Sequence, residues 1–342
     1  MKYLFTLSFL WSFSTLIHAQ DFENAGDYMS FISKQQENVS KKFMSYTSAS
    51  AHGKKEKKVE VLRNKLLDEV QESRMNISGM PGYKADKSYR DSAVSFMKLY
   101  YNVLNEDYSK IINMEEIAEQ SYDAMEAYLL MEEKVSEKLQ EGNERMKAAQ
   151  NVFAAKNNIK LINGQSELGD MMQEVHDMNL YHHQVYLIFF KPFKQEAYLL
   201  EAIEKNNITG IEQNKNSLLK YAQDGLVKMN NLKPFKGDNS IAASCKSMLN
   251  FYIKEVNDKM STISDFFLTK ERFATIEKEF AKKSNPTNEE VAAYNKGVND
   301  INKASNAYNQ NNQTLNQQRT EALNNWNRAV KTFFDEHTPH YK

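Results

Sequence analysis

Residues 80–88 read MPGYKADKS, and residues 232–240 read LKPFKGDNS. Each segment follows a proline with an aromatic residue, a lysine, an aspartate and a serine at the same spacing. Setting Tyr83 against Phe235 gives an offset of 152, and at this offset ten of the forty positions from Leu66 to Asn105 are identical. Two amphipathic helices can resemble each other by chance, but that alternative does not explain a shared loop. The chain is therefore predicted to contain two copies of one helical unit.

Apolar residues recur at three- and four-residue steps through most of the chain, for example in residues 88–112, which is typical of amphipathic helices. Helix formers are abundant, whereas the chain has 11 glycines and 5 prolines. Short connections between consecutive helices favour antiparallel neighbours. We predict an all-α fold: two duplicated four-helix-bundle-like units in an elongated antiparallel helical bundle. The predicted helices are 25–51, 55–78, 88–113, 115–157, 168–205, 209–231, 240–281 and 288–335.

The two units differ in length. Towards their ends Lys147 aligns with Arg328 and Phe153 with Phe334, so the offset has grown to 181. The second unit has thus gained about 29 residues, which we place between about Thr269 and Asn299. The predicted division is residues 20–165 for the first unit and residues 166–342 for the second, which has a longer C-terminal helix.

The N-terminus predicts export. Met1 and Lys2 form a short positive start, residues 4–17 are largely apolar, and Ala19 precedes a polar, acidic stretch. This order is typical of a secretory signal peptide, which we predict at residues 1–19. A retained membrane anchor is the alternative, but the apolar run is shorter than the roughly 20 residues that span a bilayer. We therefore expect the protein in the periplasm or at the cell surface, without a transmembrane segment after cleavage.

Composition and motifs exclude several function classes. The net charge of −1 gives no overall field that would attract nucleic acid. Cys245 is the only cysteine, so no internal disulfide can form, and we expect a buried structural thiol rather than a nucleophile. No Gly-rich phosphate loop, Gly-x-Ser-x-Gly elbow, His-Glu-x-x-His pair or haem attachment motif occurs. The sequence predicts no enzyme and implies no cofactor.

The paired loops are the first candidate site. Asp86 or Ser88, and the matching Asp238 or Ser240, are natural N-caps for the helices that follow. The functional alternative is a paired ligand site formed by two aromatic-lysine dipeptides. Its candidate residues are Tyr83, Lys84, Phe235 and Lys236.

A second candidate is a metal site. On a helix, Met172, His176 and His183 share one face, because steps of four and seven residues return to it. Thioether and imidazole ligands suit copper, particularly Cu(I). The structural alternative is that these methionines and the neighbouring Tyr181 and Val185 pack in the core.

A third candidate is an asparagine-rich stretch near the C-terminus. A weak apolar stripe from Val291 to Leu315 runs beside it. The asparagines either lie in the solvated flank of the longest helix or mark a contact surface for another helix or a polymer, because polar residues at heptad core positions specify partners. The candidate partner-binding residues are Asn295, Asn299, Asn302, Asn306 and Asn309.

Several segments resemble an uncharacterised family of bacterial exported proteins that are described only as surface proteins. The segments are residues 27–32, 46–53, 104–108, 114–119, 324–329, Phe333 and residues 337–339. The resemblance would cover nearly the whole mature chain. It implies placement at the cell envelope or surface and a helical fold, but no activity and no functional residues.

From these patterns we expect a non-enzymatic exported binding or scaffold protein of the bacterial cell envelope. It would present helical faces to another envelope protein or to a cell-wall polymer. The alternative is a small-ligand-binding or metal-binding protein, with copper as the metal, that uses the interior or the junction between the units. A polar cavity at that junction would favour the alternative, and a dry, filled junction would favour the scaffold.

Overall fold

The computed structural model describes residues 22–107, 118–162 and 166–341. The predicted signal peptide, residues 1–19, lies outside them, as does most of the boundary predicted between the units. All named elements of the described residues are helices, and the β-bridges there are two isolated ones. The all-α fold class predicted from the sequence is confirmed.

The helices follow the predicted spans closely, apart from the fourth, which begins at Tyr122 after an N-cap by Ser121. A short π-helical segment follows each of two helices: Val103–Asp107 follows the third helix, and Glu255–Lys259 follows the seventh. The helices are α1 Ala25–Ala51, α2 Glu56–Ser78, α3 Ser88–Asn102, α4 Tyr122–Lys156, α5 Glu167–Glu204, α6 Ile208–Asn231, α7 Ser240–Lys254, α8 Met260–Phe280 and α9 Asn288–His337.

Local geometry repeats at the offset found in the sequence. α2 and α6, α3 and α7, and the two π-helical segments each begin 152 residues apart. The loops also match, because Tyr83 bridges Asp86 as Phe235 bridges Asp238. Lys84 and Lys236 have positive φ angles of 49° and 50°. Duplication of one ancestral unit stays a prediction, and these correspondences support it.

Each half has its own core. In the first half α1 packs on α2, α2 on α3 and α3 on α4, around buried residues that include Tyr28, Leu66 and Phe153. In the second half α5 packs on α6, α6 on α7, and α7 on α9. The second core also contains Met44 of α1, together with residues of α4. The halves are therefore joined by shared packing rather than by a bare linker.

The longest helix forms a hairpin with α8. Residues 260–311, which comprise α8, the turn at 281–287 and the first part of α9, are called the arm below. Stacked aromatic rings connect its two helices, with Phe266 against Tyr308 and Phe280 against Tyr294. The insertion predicted from the sequence, about 29 residues between about Thr269 and Asn299, would lie in this arm. Divided between two helices that rise about 1.5 Å per residue, these residues would lengthen the hairpin by roughly 20 Å.

Candidate functional site

A cleft of about 210 Å³ lies where the two halves meet. α1 and α2 form one wall, and α5 and the C-terminal end of α9 form the other. Its apolar lining includes Phe43, Leu66 and Phe334. Its polar lining consists of Tyr46, Thr47, Ser50, Arg63, Asn179 and Thr338. The cleft thus offers both an apolar surface and hydrogen-bonding groups.

Arg63 is the one charged residue among those that line the cleft. Its Nη2 donates a hydrogen bond to the carbonyl oxygen of Leu104 at 2.9 Å. This bond connects α2 to the π-helical segment that follows α3. Burial raises the pKa of Tyr46, and the charge of Arg63 opposes that rise. Tyr46 therefore remains a neutral phenol at physiological pH, next to a permanent cation.

The C-terminal segment closes one side of the cleft by clasping α1. The His52 ring stacks on His340 with 3.7 Å between ring centres, and its Nδ1 lies 2.7 Å from Oδ1 of Asp335. The backbone N–H of Tyr341 donates to Ser48 Oγ at 2.9 Å. Because Phe334 directly precedes Asp335, and Thr338 lies between Asp335 and His340, the clasp holds this wall of the cleft against α1.

The paired loops hold their aromatic rings inward. The Tyr83 ring contacts Tyr28 and Phe153, and the Phe235 ring contacts Tyr181 and Phe333. Phe235 is buried, whereas Lys84 and Lys236 are exposed. Each lysine lies near the ring that precedes it, and Lys236 also pairs with Glu174. A ligand site formed by these dipeptides stays a prediction, but the rings already have partners within the fold.

The two loop aspartates contact the last helix of each half, α4 and α9. Asp86 Oδ1 accepts from the backbone N–H of Ser88, and Asp238 Oδ1 does the same for Ser240. The N-cap positions are Lys87 and Asn239, which form no side-chain capping bond, so the prediction that these aspartates or serines are the N-caps is wrong. The other oxygen of Asp86 pairs with Lys156 at 2.6 Å, and that of Asp238 with His337 at 2.8 Å. A structural role therefore explains the shared loop sequence.

The two histidines among the predicted copper ligands contact side chains of α4. His176 Nδ1 lies 3.0 Å from Ser136 Oγ, and His183 Nε2 lies 3.3 Å from a Glu132 carboxylate oxygen. Met172 packs against the second core. In the described part of the chain, the one cluster of three His, Cys, Asp or Glu ligands is Asp238, Glu336 and His337. Copper binding stays a prediction, and these contacts compete with it.

The five asparagines of the C-terminal stretch are exposed, on the side of α9 that faces solvent. The apolar stripe beside them is covered by α8, since Tyr294 and Tyr308 stack on phenylalanines of that helix. The other helix expected to contact the stripe is thus supplied by the same chain. A role of the asparagines in partner binding stays a prediction.

Sequence reasoning missed a buried charge cluster between α5, α7 and α9. Arg319 Nε donates to Glu196 at 2.5 Å and its Nη2 donates to Glu255 at 2.7 Å. Both glutamate side chains are almost completely buried, and burial, together with the neighbouring Glu196, raises the pKa of Glu255 to about 9. Burial thus favours the protonated form of Glu255 at neutral pH. One feature of the sequence indicated that Glu255 is buried: at the offset of 152 it aligns with the apolar Val103.

His182 carries a testable pH dependence. Its ring packs on Tyr186 and Phe334, its Nε2 is buried without a hydrogen-bond partner among the described residues, and burial lowers its pKa to about 3. Because the unfolded chain takes up the proton near pH 6.5, this site stabilises the fold above that pH and loses its contribution as the pH falls.

We expect the loss due to His182 to be about 2 kcal/mol between pH 6.5 and pH 5. His182→Phe should remove this part of the acid sensitivity, measured as the free energy of unfolding in denaturant at each pH. Parallel pH profiles for wild type and variant would contradict the assignment.

Within the described residues, every helix is too short or too polar to cross a membrane. Comparison of the chain with protein-family models, with curated proteins and with solved structures found no match. The resemblance to a family of exported surface proteins stays a prediction.

Proposed function

We propose that this is a non-enzymatic, exported binding protein whose ligand site is the cleft between the two halves. The observation that carries the proposal is the cleft's mixed lining at the junction, with polar groups on three helices. Of the two functions expected from the sequence, this favours the small-ligand binder, since a scaffold would need no polar cavity at this position.

The lining selects the ligand class. Arg63 supplies one positive charge, Tyr46 a phenol donor, and Asn179 an amide, while the remaining surface is mostly apolar. Arginine binds carboxylates with paired hydrogen bonds. At about 210 Å³ the cleft is smaller than the roughly 300–1,000 Å³ of typical drug-sized sites. The ligand is therefore a small carboxylate with an alkyl or aryl body.

The role of the positive charge in ligand binding is tested by Arg63→Met, with Arg90→Met as the matched control. Arg90 also donates to a backbone carbonyl, that of Met80, but does not line the cleft. Titration calorimetry with 3-phenylpropionate should show binding to wild type and to Arg90→Met. We expect roughly 10- to 100-fold weaker binding by Arg63→Met, because a hydrogen bond to a charged group contributes about 1.5–3 kcal/mol.

The methyl ester of the same acid, which lacks the charge, should bind wild type and Arg63→Met alike. Equal affinity of both variants for the free acid would exclude Arg63 as the ligand's partner. A melting temperature measured for each variant separates loss of the site from loss of the fold.

A second function, presentation of a helical surface to an envelope protein or a cell-wall polymer, is favoured by one observation. The exposed asparagines of α9 form an uncharged amide face on the arm, away from both cores. Such a face can donate and accept hydrogen bonds without the desolvation cost of charges.

A further inference from the structure

The arm carries a groove whose charged groups lack partners in the described chain. The groove, of about 470 Å³, runs between α8 and α9. Four charged residues line it, namely Asp265 and Arg272 on α8 and Asp300 and Lys303 on α9. All four are exposed, and none forms an ion pair with any described residue. Two acids and two bases make the groove neutral overall, and a partner surface with alternating charges would complement it.

The register of the hairpin places these charges symmetrically. Gly297 packs on Phe273, and Asn311 Nδ2 donates to the carbonyl of Lys259. Both contacts give the same antiparallel register, in which Thr269 of α8 is level with Ile301 of α9. Asp265 and Arg272 lie on either side of this level by nearly equal distances. Asp300 and Lys303 flank the same level on the other helix.

A two-fold axis that crosses the arm at this level therefore pairs every acid with a base. We propose that the arm groove is the contact surface for a second copy of this chain, which lies antiparallel so that α8 faces α8 and α9 faces α9. Asp265 then meets Arg272 of the second copy, and Asp300 meets its Lys303. Each pair occurs twice in such an interface, as two-fold symmetry requires.

The uncharged lining fits the same arrangement. Phe266 and Phe273 lie three and four residues from Thr269 on opposite sides, so each ring comes close to a ring of the second copy. Gly297 and Ala307 flank it on α9, and their small side chains permit the helices to approach closely. The result is a four-helix bundle of two arms, which buries the partly exposed aromatic edges that each arm leaves in water. The asparagine face of α9 points away from this contact.

The test uses the mature full chain in sedimentation equilibrium. Wild type should be a dimer. Arg272→Asp places like charges at two contacts and should weaken the dimer about tenfold or more. The charge swap Asp265→Arg with Arg272→Asp should restore it, because the two residues exchange roles across the axis. A monomeric wild type, or a swap as weak as the single variant, would overturn the proposal.

A second measurement does not depend on charge. Thr269 lies at the axis and should meet its own copy, so Thr269→Cys should form an intermolecular cross-link on oxidation. Glu271→Cys, exposed on the opposite side of α8, is the matched control and should not. The native Cys245 is fully buried and does not compete. Equal cross-linking of both variants would place the contact elsewhere.

Discussion

Replacing Arg319 with methionine should lower the free energy of unfolding by about 3–5 kcal/mol. Arg319 is the only cation that contacts the buried carboxyl groups of Glu196 and Glu255 among the described residues, and those side chains are 3 % and 0 % exposed. Methionine keeps much of the side-chain volume but leaves a buried carboxylate without its partner. Denaturant unfolding at neutral pH, followed by circular dichroism, measures the effect.

The matched control replaces the whole cluster by apolar residues. In the first half, the positions aligned with Glu196 and Glu255 are Met44 and Val103, both buried. The triple variant Glu196→Met, Glu255→Val, Arg319→Met should recover most or all of the loss, since well-packed apolar groups often replace a buried ion pair without cost. A triple variant as unstable as Arg319→Met alone would mean that packing, not charge, explains the effect.

The same cluster predicts the sign of a pH effect. Since the pKa of Glu255 is raised to about 9, the folded protein holds a proton that the unfolded chain releases near pH 4.5. Its contribution to stability is therefore fully present below pH 4.5 and is lost as the pH rises towards 9. The deficit of Arg319→Met should shrink at acid pH, because a protonated carboxyl group needs no cation beside it.

Truncating either of two corresponding aromatic residues should cost about 3–5 kcal/mol. Phe333 is fully buried and packs on Tyr181 and Phe235, and Phe153 packs on Tyr28 and Tyr83 in the first half. Each phenylalanine joins the last helix of its half to the aromatic loop. Both Phe333→Ala and Phe153→Ala should lower the melting temperature, whereas Val152→Ala, at a position that is 66 % exposed, should change stability by less than about 0.5 kcal/mol.

Hydrogen exchange should locate each loss. Phe153→Ala is expected to speed amide exchange mainly in α1 to α4, and Phe333→Ala mainly in α5, α7 and α9, because the two residues belong to different cores. Uniform acceleration through the whole chain in both variants would show that the halves unfold as one unit.

Much of the fold could be predicted from the sequence because its signals are local. Helix periodicity predicted the starts of α3 and α7, and the offset of 152 found in the sequence is also the offset between those starts. The register of the last helices was misplaced by one residue. Phe153 had been aligned with Phe334, whereas the residue that takes the place of Phe153 on the loop aromatics is Phe333. Because the last helices carry few apolar residues, their sequence pattern does not distinguish two alignments that differ by one residue. The tertiary contacts do.

The junction between the units was named from the sequence as a possible binding site, but its lining residues could not be predicted, because they depend on how the halves are placed. Tyr46 and Arg63 are far from Thr338 in sequence, and none of the three forms part of a catalytic or ligand-binding motif. The clasp between His52 and His340 joins residues near opposite ends of the chain, which no periodic pattern indicates. The Arg319 cluster was not predicted either, because a charged residue on a polar helix is normally solvated.

The central claim, that the junction cleft binds a small carboxylate, is tested most directly by a thermal-shift screen of alkyl and aryl carboxylates. Wild type is compared with Ser50→Trp, which fills the cleft from an exposed position and leaves Arg63 in place. At least one class of carboxylate should raise the melting temperature of wild type and leave that of Ser50→Trp unchanged. If no carboxylate stabilises wild type, or if both proteins respond alike, the cleft is not the binding site.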